Sequence, residues 1–348
     1  MNTENTSLSW GLVRLQQFLL SHHVNPFNRL ADWFNEYFHH TNHINHVNRI
    51  NQKQFVPHHK RAAKGHVYLV GAGPGDPELL TLKAHRLIQQ ADVVMYDWLV
   101  NPDIIKMIPR HVERVFVGKK CGRHSMQQAD ICQLMIQVAL TGKNIVRLKG
   151  GDPAIFARAA EECDILTQYQ IDFAIVPGIT AASGASAYAG IPLTHRECAQ
   201  SVRFITAHLK SVEPVGSVKA MKTMKATKVG SIATTDEPNW QALVAGANAS
   251  TRNRETLVFY MGLKRINTIM QRLETHGLGA DTPVAVIDQA ATAQQKVCIG
   301  TLKNIAQRVT QQNFQGPAVT IVGEVVNKRH TVNLSLLSQS VNGVSHKA

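Results

Sequence analysis

The stretch VYLVGAGPGDPELLTLKAHRLIQQADVVMYD, Val67 to Asp97, constrains the fold more than any other part of the chain. It opens with a short apolar run and breaks at a burst of glycine and proline. It continues with Leu79, Leu82, His85, Leu87 and Ile88 near helical spacing, then closes on a second apolar run. That succession reads as strand, tight turn, helix, buried strand. Two parallel strands need a crossover between them, so such a unit implies a sheet covered by helices. The alternation continues with another helix and strand, then KNIVRLKGGDP, the helix AAEECDILTQYQ and the strand DFAIVPG. After Gly178 the pattern restarts as SVRFITAH, ETLVFYMGL, TPVAVIDQA, KVCIGTL and PAVTIVGEVV, with fewer helices between the runs. The reading is α/β: a mostly parallel sheet domain over residues 66–178 and an α+β domain over 179–330, with the boundary near Pro177–Thr180.

The rest of the chain differs in composition. Residues 1–65 are rich in Asn and His, and SLSWGLVRLQQFLL has the spacing of one amphipathic helix. The His pairs invite a metal reading, but a polar extension with short docking helices is the simpler expectation, and no metal site is assigned. Residues 210–238 form a Lys-rich insertion with Lys219, Lys222, Lys225 and Lys228 three residues apart, read as an exposed loop, and 331–348 are a tail. No apolar run approaches the roughly 18–20 residues of a membrane helix. No basic segment leads into an apolar core at the start. The five cysteines form no CxxC pair. Together these features predict a protein of the cytoplasm, a reducing compartment. The net charge of +13 favours an anionic partner: nucleic acid, acidic lipid or an acidic small molecule.

The glycine turn, Gly71-Ala-Gly-Pro-Gly-Asp76, is not a dinucleotide fingerprint. The third glycine of G-x-G-x-x-G is replaced by Asp76, which would set a carboxylate near a pyrophosphate. Pro74 removes a backbone N–H that could face phosphate. Neither Gly-Lys pair, at Gly118 and Gly142, has the Ser or Thr of a phosphate loop. A ligand that is not anionic at this point fits better. A second ligand-bearing stretch is RLKGGDPAIFAR, Arg147 to Arg158. A third is VPGITAASGASAYAGIPLTHR, Val176 to Arg196, built of small residues at the expected domain junction.

These stretches, with YDWLV, VGKKCGRHS, VFYMGL, TPVAVI and VGEVV in the same order, resemble the tetrapyrrole methylase family, on its uroporphyrinogen-III C-methyltransferase branch. The resemblance covers roughly residues 66–330 without the lysine-rich insertion. It implies a homodimer of two-domain subunits that binds S-adenosylmethionine between the domains, without a Rossmann fingerprint. It implies two methyl transfers to uroporphyrinogen III, at carbons 2 and 7, giving precorrin-2 for siroheme or cobalamin synthesis. Carried over by position, it implies cofactor contacts from Pro74, Gly150, Gly151, Asp152, Ile155, Thr180, Ala181, Met261 and Ala290. It makes Asp97 a proton acceptor and Lys119 a proton donor; a strand-end cap and a surface lysine are the plainer readings of these two. The substrate's eight carboxylates suit Lys119, Lys120, Arg123, His124, Arg147, Lys149 and Arg196, all close to the matching motifs.

The chain departs from the family pattern where FxFGRGGEE becomes AIFARAAEE. Ala154 replaces an aromatic, and Ala157, Ala159 and Ala160 replace glycines. Ala207 and Ala290 replace two more glycines. If these positions need positive φ or a close backbone approach to a ligand, turnover is expected to suffer. Two rivals remain: a weak or regulatory paralogue that still binds ligand, and a superfamily RNA methyltransferase using the lysine stripe. No nucleic acid is expected on the favoured reading.

Overall fold

The computed structural model describes residues 63–118, 126–207, 237–250 and 254–337. Chain contacts divide the protein into Met1–Arg61 and Ala62–Ala348, and every described residue belongs to the second unit. The helices expected before residue 62, Lys119, the stripe from Lys219 to Lys228 and the end of the tail lie outside the described residues.

Five short runs form one parallel sheet: β1 (Val67–Gly71), β2 (Val93–Tyr96), β3 (Glu113–Phe116), β4 (Ile145–Lys149) and β5 (Phe173–Val176), in the order β3-β2-β4-β1-β5. Successive side chains of a strand alternate between faces, and the core follows that rule. Val70, Val94, Val146 and Leu148 pack with Leu87 and Ile88 of helix α1 (Leu82–Gln90) and Ile104 of α2 (Pro102–Lys106). Leu69, Val93 and Met95 pack on the other face with Met135 and Ile136 of α3 (Gln128–Leu140) and Leu166 of α4 (Ala159–Gln168).

The helix expected over PELLTLKAHRLIQQ is two elements. A single 3-10 turn, Pro77–Leu79, starts where Asp76 Oδ1 accepts the Glu78 N–H at 2.8 Å. The α-helix starts at Leu82, where Thr81 Oγ1 accepts the Ala84 N–H at 3.1 Å. Two side-chain caps in six residues start two elements. Leu82, placed by spacing on the apolar face, is 90% exposed; Ala84, Leu87 and Ile88 form the buried face.

All five runs after Gly178 are strands of a second sheet: β6 (Ser201–Thr206), β7 (Glu255–Tyr260), β8 (Pro283–Asp288), β9 (Lys296–Thr301) and β10 (Ala318–Val322), in the order β6-β7-β10-β8-β9. Only β6 and β7 pair in parallel. One face carries α6 (Trp240–Ala247), α7 (Ile266–Thr275) and α8 (Ile305–Gln311) over Leu257, Phe259, Val284 and Val286. The other face carries α5 (Ala181–Ala189), whose Ala182, Ala185 and Ala189 pack on Val258, Ala285 and Val319. The segment Pro177–Thr180 is therefore where the chain leaves β5 for a helix that packs on the second sheet. No helix among the described residues is long and apolar enough to cross a membrane.

Candidate active site

β1 and β4 are neighbours, yet the chain leaves β1 toward β2 and leaves β4 toward β5, in opposite directions across the sheet. Ligand crevices form outside the carboxyl ends of strands at such a reversal. The three glycine-bearing stretches meet there. Gly73 and Gly151 exchange backbone hydrogen bonds, N–H to O at 3.1 Å and 2.8 Å, and both have positive φ, 77° and 70°. A Cβ on Gly178 would fall 2.4 Å from the Gly151 carbonyl oxygen, and one on Gly71 2.6 Å from the Gly178 nitrogen. Three backbones approach here more closely than any side chain permits.

Asp152 ties the second stretch to the third: Oδ1 accepts the Ala154 N–H at 2.7 Å and Oδ2 the Gly178 N–H at 2.9 Å. The Gly151 Cα faces the start of α5, with the Ala181 nitrogen 3.8 Å from where its Cβ would stand. Gly184 of α5 lies against Pro74, where a Cβ would be 2.5 Å from the proline Cγ. A Cβ on Gly75 would lie 2.8 Å from the Ala290 carbonyl oxygen, so the first turn also reaches the loop after β8. Gly150 abuts Leu99, in the loop that carries Asp97.

Beside this junction lies a cavity of about 600 Å3. Asp152, Ile155 and Thr180 line it, together with Leu79, Tyr188 and Phe204 among others. Its size is that of a small-molecule site. Among the described residues its lining holds one acid, Asp152, and no Lys or Arg. Thr180 Oγ1 is 2.7 Å from the Tyr260 hydroxyl oxygen, which also accepts the Ala182 N–H at 3.2 Å. Burial pushes the Tyr260 phenol up from its ordinary pKa, outweighing those hydrogen bonds. The Tyr188 hydroxyl donates to Asp76 Oδ2 at 2.5 Å. Burial first, and then Asp76, push that phenol up to about 12. Asp76 thus serves the 3-10 turn and Tyr188.

Pro74, Gly150, Gly151, Ala181, Met261 and Ala290 do not line the cavity itself. Met261, just past β7, is 52% exposed with φ 58°, and Ala290 is 6% exposed. Asp97 sits at the carboxyl end of β2. Its Oδ1 accepts the Leu99 N–H at 3.1 Å, and its Oδ2 is 3.5 Å from Arg147 Nη2.

Two expectations need correction. Arg147 and Lys149 are each 3% exposed and face inward, so they do not reach out to substrate carboxylates. The Lys149 ammonium lies 2.8 and 2.9 Å from the two oxygens of Glu162, and Arg147 Nε lies 3.4 Å from the first. Burial, and then the Arg147 charge, draw the Lys149 ammonium below its usual pKa. Second, none of Ala157, Ala159, Ala160, Ala207 and Ala290 has positive φ. The left-handed residues nearby are Phe156, Arg158, Met261, Gln289 and Ala291. Ala159 and Ala160 begin α4 in ordinary helical geometry.

Sequence reasoning did not single out Glu162, Tyr188 or Tyr260. Each lay inside a quoted motif, but the partner that gives it a role lies on another element.

A parallel sheet and a mixed sheet, joined at a glycine-built crevice that lacks a phosphate loop, define a two-sheet small-molecule-binding fold outside the Rossmann group. The chain belongs to the tetrapyrrole (corrin/porphyrin) methylases, whose family pattern matches residues 66–306. A siroheme synthase of Pseudomonas aeruginosa is 51% identical over 267 residues, which are 77% of this chain and 51% of that one. One from Acinetobacter baylyi is 49% identical over 268 residues, covering 77% and 52%. The chain spans about half the length of these curated relatives. A uroporphyrin-III C-methyl transferase from Thermus thermophilus, solved with S-adenosyl homocysteine, superposes with a TM-score of 0.59 at 33% identity, covering 76% of this chain and 99% of that one. A cobalt precorrin-4 methyltransferase superposes with a TM-score of 0.60 at 27% identity, over 78% and 99%.

Proposed function

We propose that this chain methylates uroporphyrinogen III at carbons 2 and 7, using S-adenosylmethionine, to give precorrin-2. The proposal concerns the part shared with the siroheme synthases, about half of their length. The observation that carries it is the junction of the three glycine stretches beside a cavity whose lining, among the described residues, holds Asp152 and no cation. Such a lining suits a cationic sulfonium with a neutral nucleoside better than a nucleotide phosphate. The cofactor supplies an electrophilic methyl group when bound.

The chain's own residues do the rest. The turn around Pro74, the Gly150–Gly151 backbone and the start of α5 at Thr180 and Ala181 form the wall behind the cavity in which the cofactor lies. Asp152 fixes two of those walls to each other. Ile155, Met261 and Ala290 complete the contact set, on the family resemblance. Asp97, 23% exposed at its side chain, accepts the proton released as the macrocycle rearranges, and Lys119 returns one. The anionic macrocycle draws on the overall surplus of +13 and on exposed cations such as Arg196. The working unit is a homodimer, which sedimentation at assay concentration would test. The rival of a weakened or regulatory paralogue loses one of its grounds, positive-φ strain at the substituted glycines, because none of those alanines is left-handed.

The test is incubation with S-adenosylmethionine and enzymatically made uroporphyrinogen III. The expected product is heavier by two methyl groups, with saturable heat on titrating S-adenosylhomocysteine. Asp97→Asn is expected to cut turnover by about a hundredfold or more while leaving that titration unchanged. No product and no binding heat would overturn the proposal.

A further inference from the structure

We propose that Glu162 is a positioning residue for this reaction: it holds Arg147 and Lys149 in a buried frame and, through Arg147, fixes the carboxylate of Asp97. The inference rests on the reading of Asp97 given above. Glu162 projects from α4 and its side chain has no exposure. Its carboxylate takes Lys149 Nζ on both oxygens, at 2.8 and 2.9 Å, and Gln128 Nε2 at 3.0 Å. Arg147 Nε stands 3.4 Å away. The guanidinium then spends Nη1 on the Leu148 carbonyl at 2.9 Å and turns Nη2 toward Asp97 Oδ2 at 3.5 Å. Of the four charged side chains, Arg147 and Lys149 are 4% exposed and Glu162 0%; only Asp97, at 23%, meets solvent.

Two cations and two carboxylates balance. Without Glu162, two positive groups would remain under the sheet's carboxyl edge against one carboxylate, and Arg147 would lose its partner at Nε. Stability alone does not account for such a frame, because apolar residues of equal volume often stabilise a core as well or better. Its placement gives the reason. The frame runs from the interior to the partly exposed carboxylate of Asp97, whose loop meets Gly150 at Leu99, and β4 carries both cations directly into Gly150 and Gly151.

The test is a double-mutant cycle on the full chain, with Glu162→Gln, Asp97→Asn and the pair. Single-turnover methylation, steady-state kcat and KM, and S-adenosylhomocysteine titration are read for each. Glu162→Gln is expected to lower kcat by about tenfold to a hundredfold, the effect of a small misplacement at a reacting centre. Both KM values and the titration should stay within about twofold of the parent. The pair should be no slower than Asp97→Asn alone, because residues acting through one another are not additive. A parental kcat in Glu162→Gln, a proportional loss of cofactor affinity, or additive losses in the pair would overturn the proposal. Parental turnover in Asp97→Asn would instead overturn the reading of Asp97, and the proposal with it. If Glu162→Gln does not fold, Glu162→Asp keeps the charge and draws the carboxylate back from Arg147. The same kcat-only loss is expected there, and a parental kcat would overturn the proposal.

Discussion

Single side chains decide two matters that motifs left open. The first is the set of alanines standing where the family pattern has glycine. Because none of the five is left-handed, reverting them to glycine removes no strain. It adds backbone freedom to the unfolded chain, at a cost of up to about 1 kcal/mol for each site inside a helix. Reverting Ala159 and Ala160 together is expected to lower the melting temperature and leave turnover unchanged; faster turnover would show that these positions matter to the site after all. The second is Tyr188. Its phenol is held neutral by burial and by the hydrogen bond to Asp76, and its pKa is raised from 10 to about 12. A raised phenol pKa gives stability that is fully present below pH 10 and is lost as pH climbs toward 12. The melting-temperature advantage of the parent over Tyr188→Phe should therefore hold steady below pH 10 and shrink between 10 and 12. An advantage that does not change across that range would mean that burial and Asp76 do not raise the Tyr188 phenol.

At the scale of elements, α5 is the piece on which the crevice depends. Apart from Tyr188 it is built of alanine, serine and glycine, because it is pressed between the second sheet and the first turn. Gly184 faces the ring of Pro74 with no room for a methyl group: a Cβ would stand 2.5 Å from Cγ and 2.6 Å from Cβ. The proline ring is rigid, so Gly184→Ala must move the turn or the helix. Overpacking of this kind costs typically about 1–3 kcal/mol. The expected result is a folded protein, by circular dichroism, that binds S-adenosylhomocysteine at least about tenfold more weakly. Undiminished binding would mean that Pro74 is not part of the cofactor wall. The 3-10 turn over Pro77–Leu79 teaches the same lesson in reverse. Helical spacing alone ran it into α1, and the caps at Asp76 and Thr81 divided them.

For the molecule as a whole, the compact unit begins at Ala62, slightly before the first strand. Lys64 Nζ donates to the Tyr169 carbonyl at 2.9 Å and the Gly65 N–H to the Ala139 carbonyl at 2.9 Å, so these residues close over the ends of α4 and α3. A deletion of residues 1–61 is expected to leave cofactor binding and melting temperature near parental values. Extending the deletion through Gly65 removes those two ties and should lower the melting temperature by a few degrees, since about 1 kcal/mol shifts a domain of this size by roughly 2–4 °C. Loss of solubility on removing 1–61 would show that the extension belongs to the working core.

The two-sheet architecture was legible from sequence because apolar runs and glycine punctuation are local signals, and each of the ten strands lies in a segment read as one, except β3, expected only as the strand after a helix. The three glycine stretches could likewise be named in advance, since glycine and Asp-Pro mark places where backbone must approach closely. Which side chains serve those stretches was not legible. Arg147 and Lys149 look like substrate-facing cations in a linear motif; only packing turns them inward onto Glu162, thirteen to fifteen residues away. Asp76 looks like a ligand-facing acid until Tyr188, 112 residues on, takes its second oxygen. The φ of an alanine is likewise set by the turn around it rather than by its own identity. Local patterns fixed the elements, because hydrogen-bonding period and turn chemistry act over a few residues; charge pairing and close packing act across the fold, and only tertiary structure decided them.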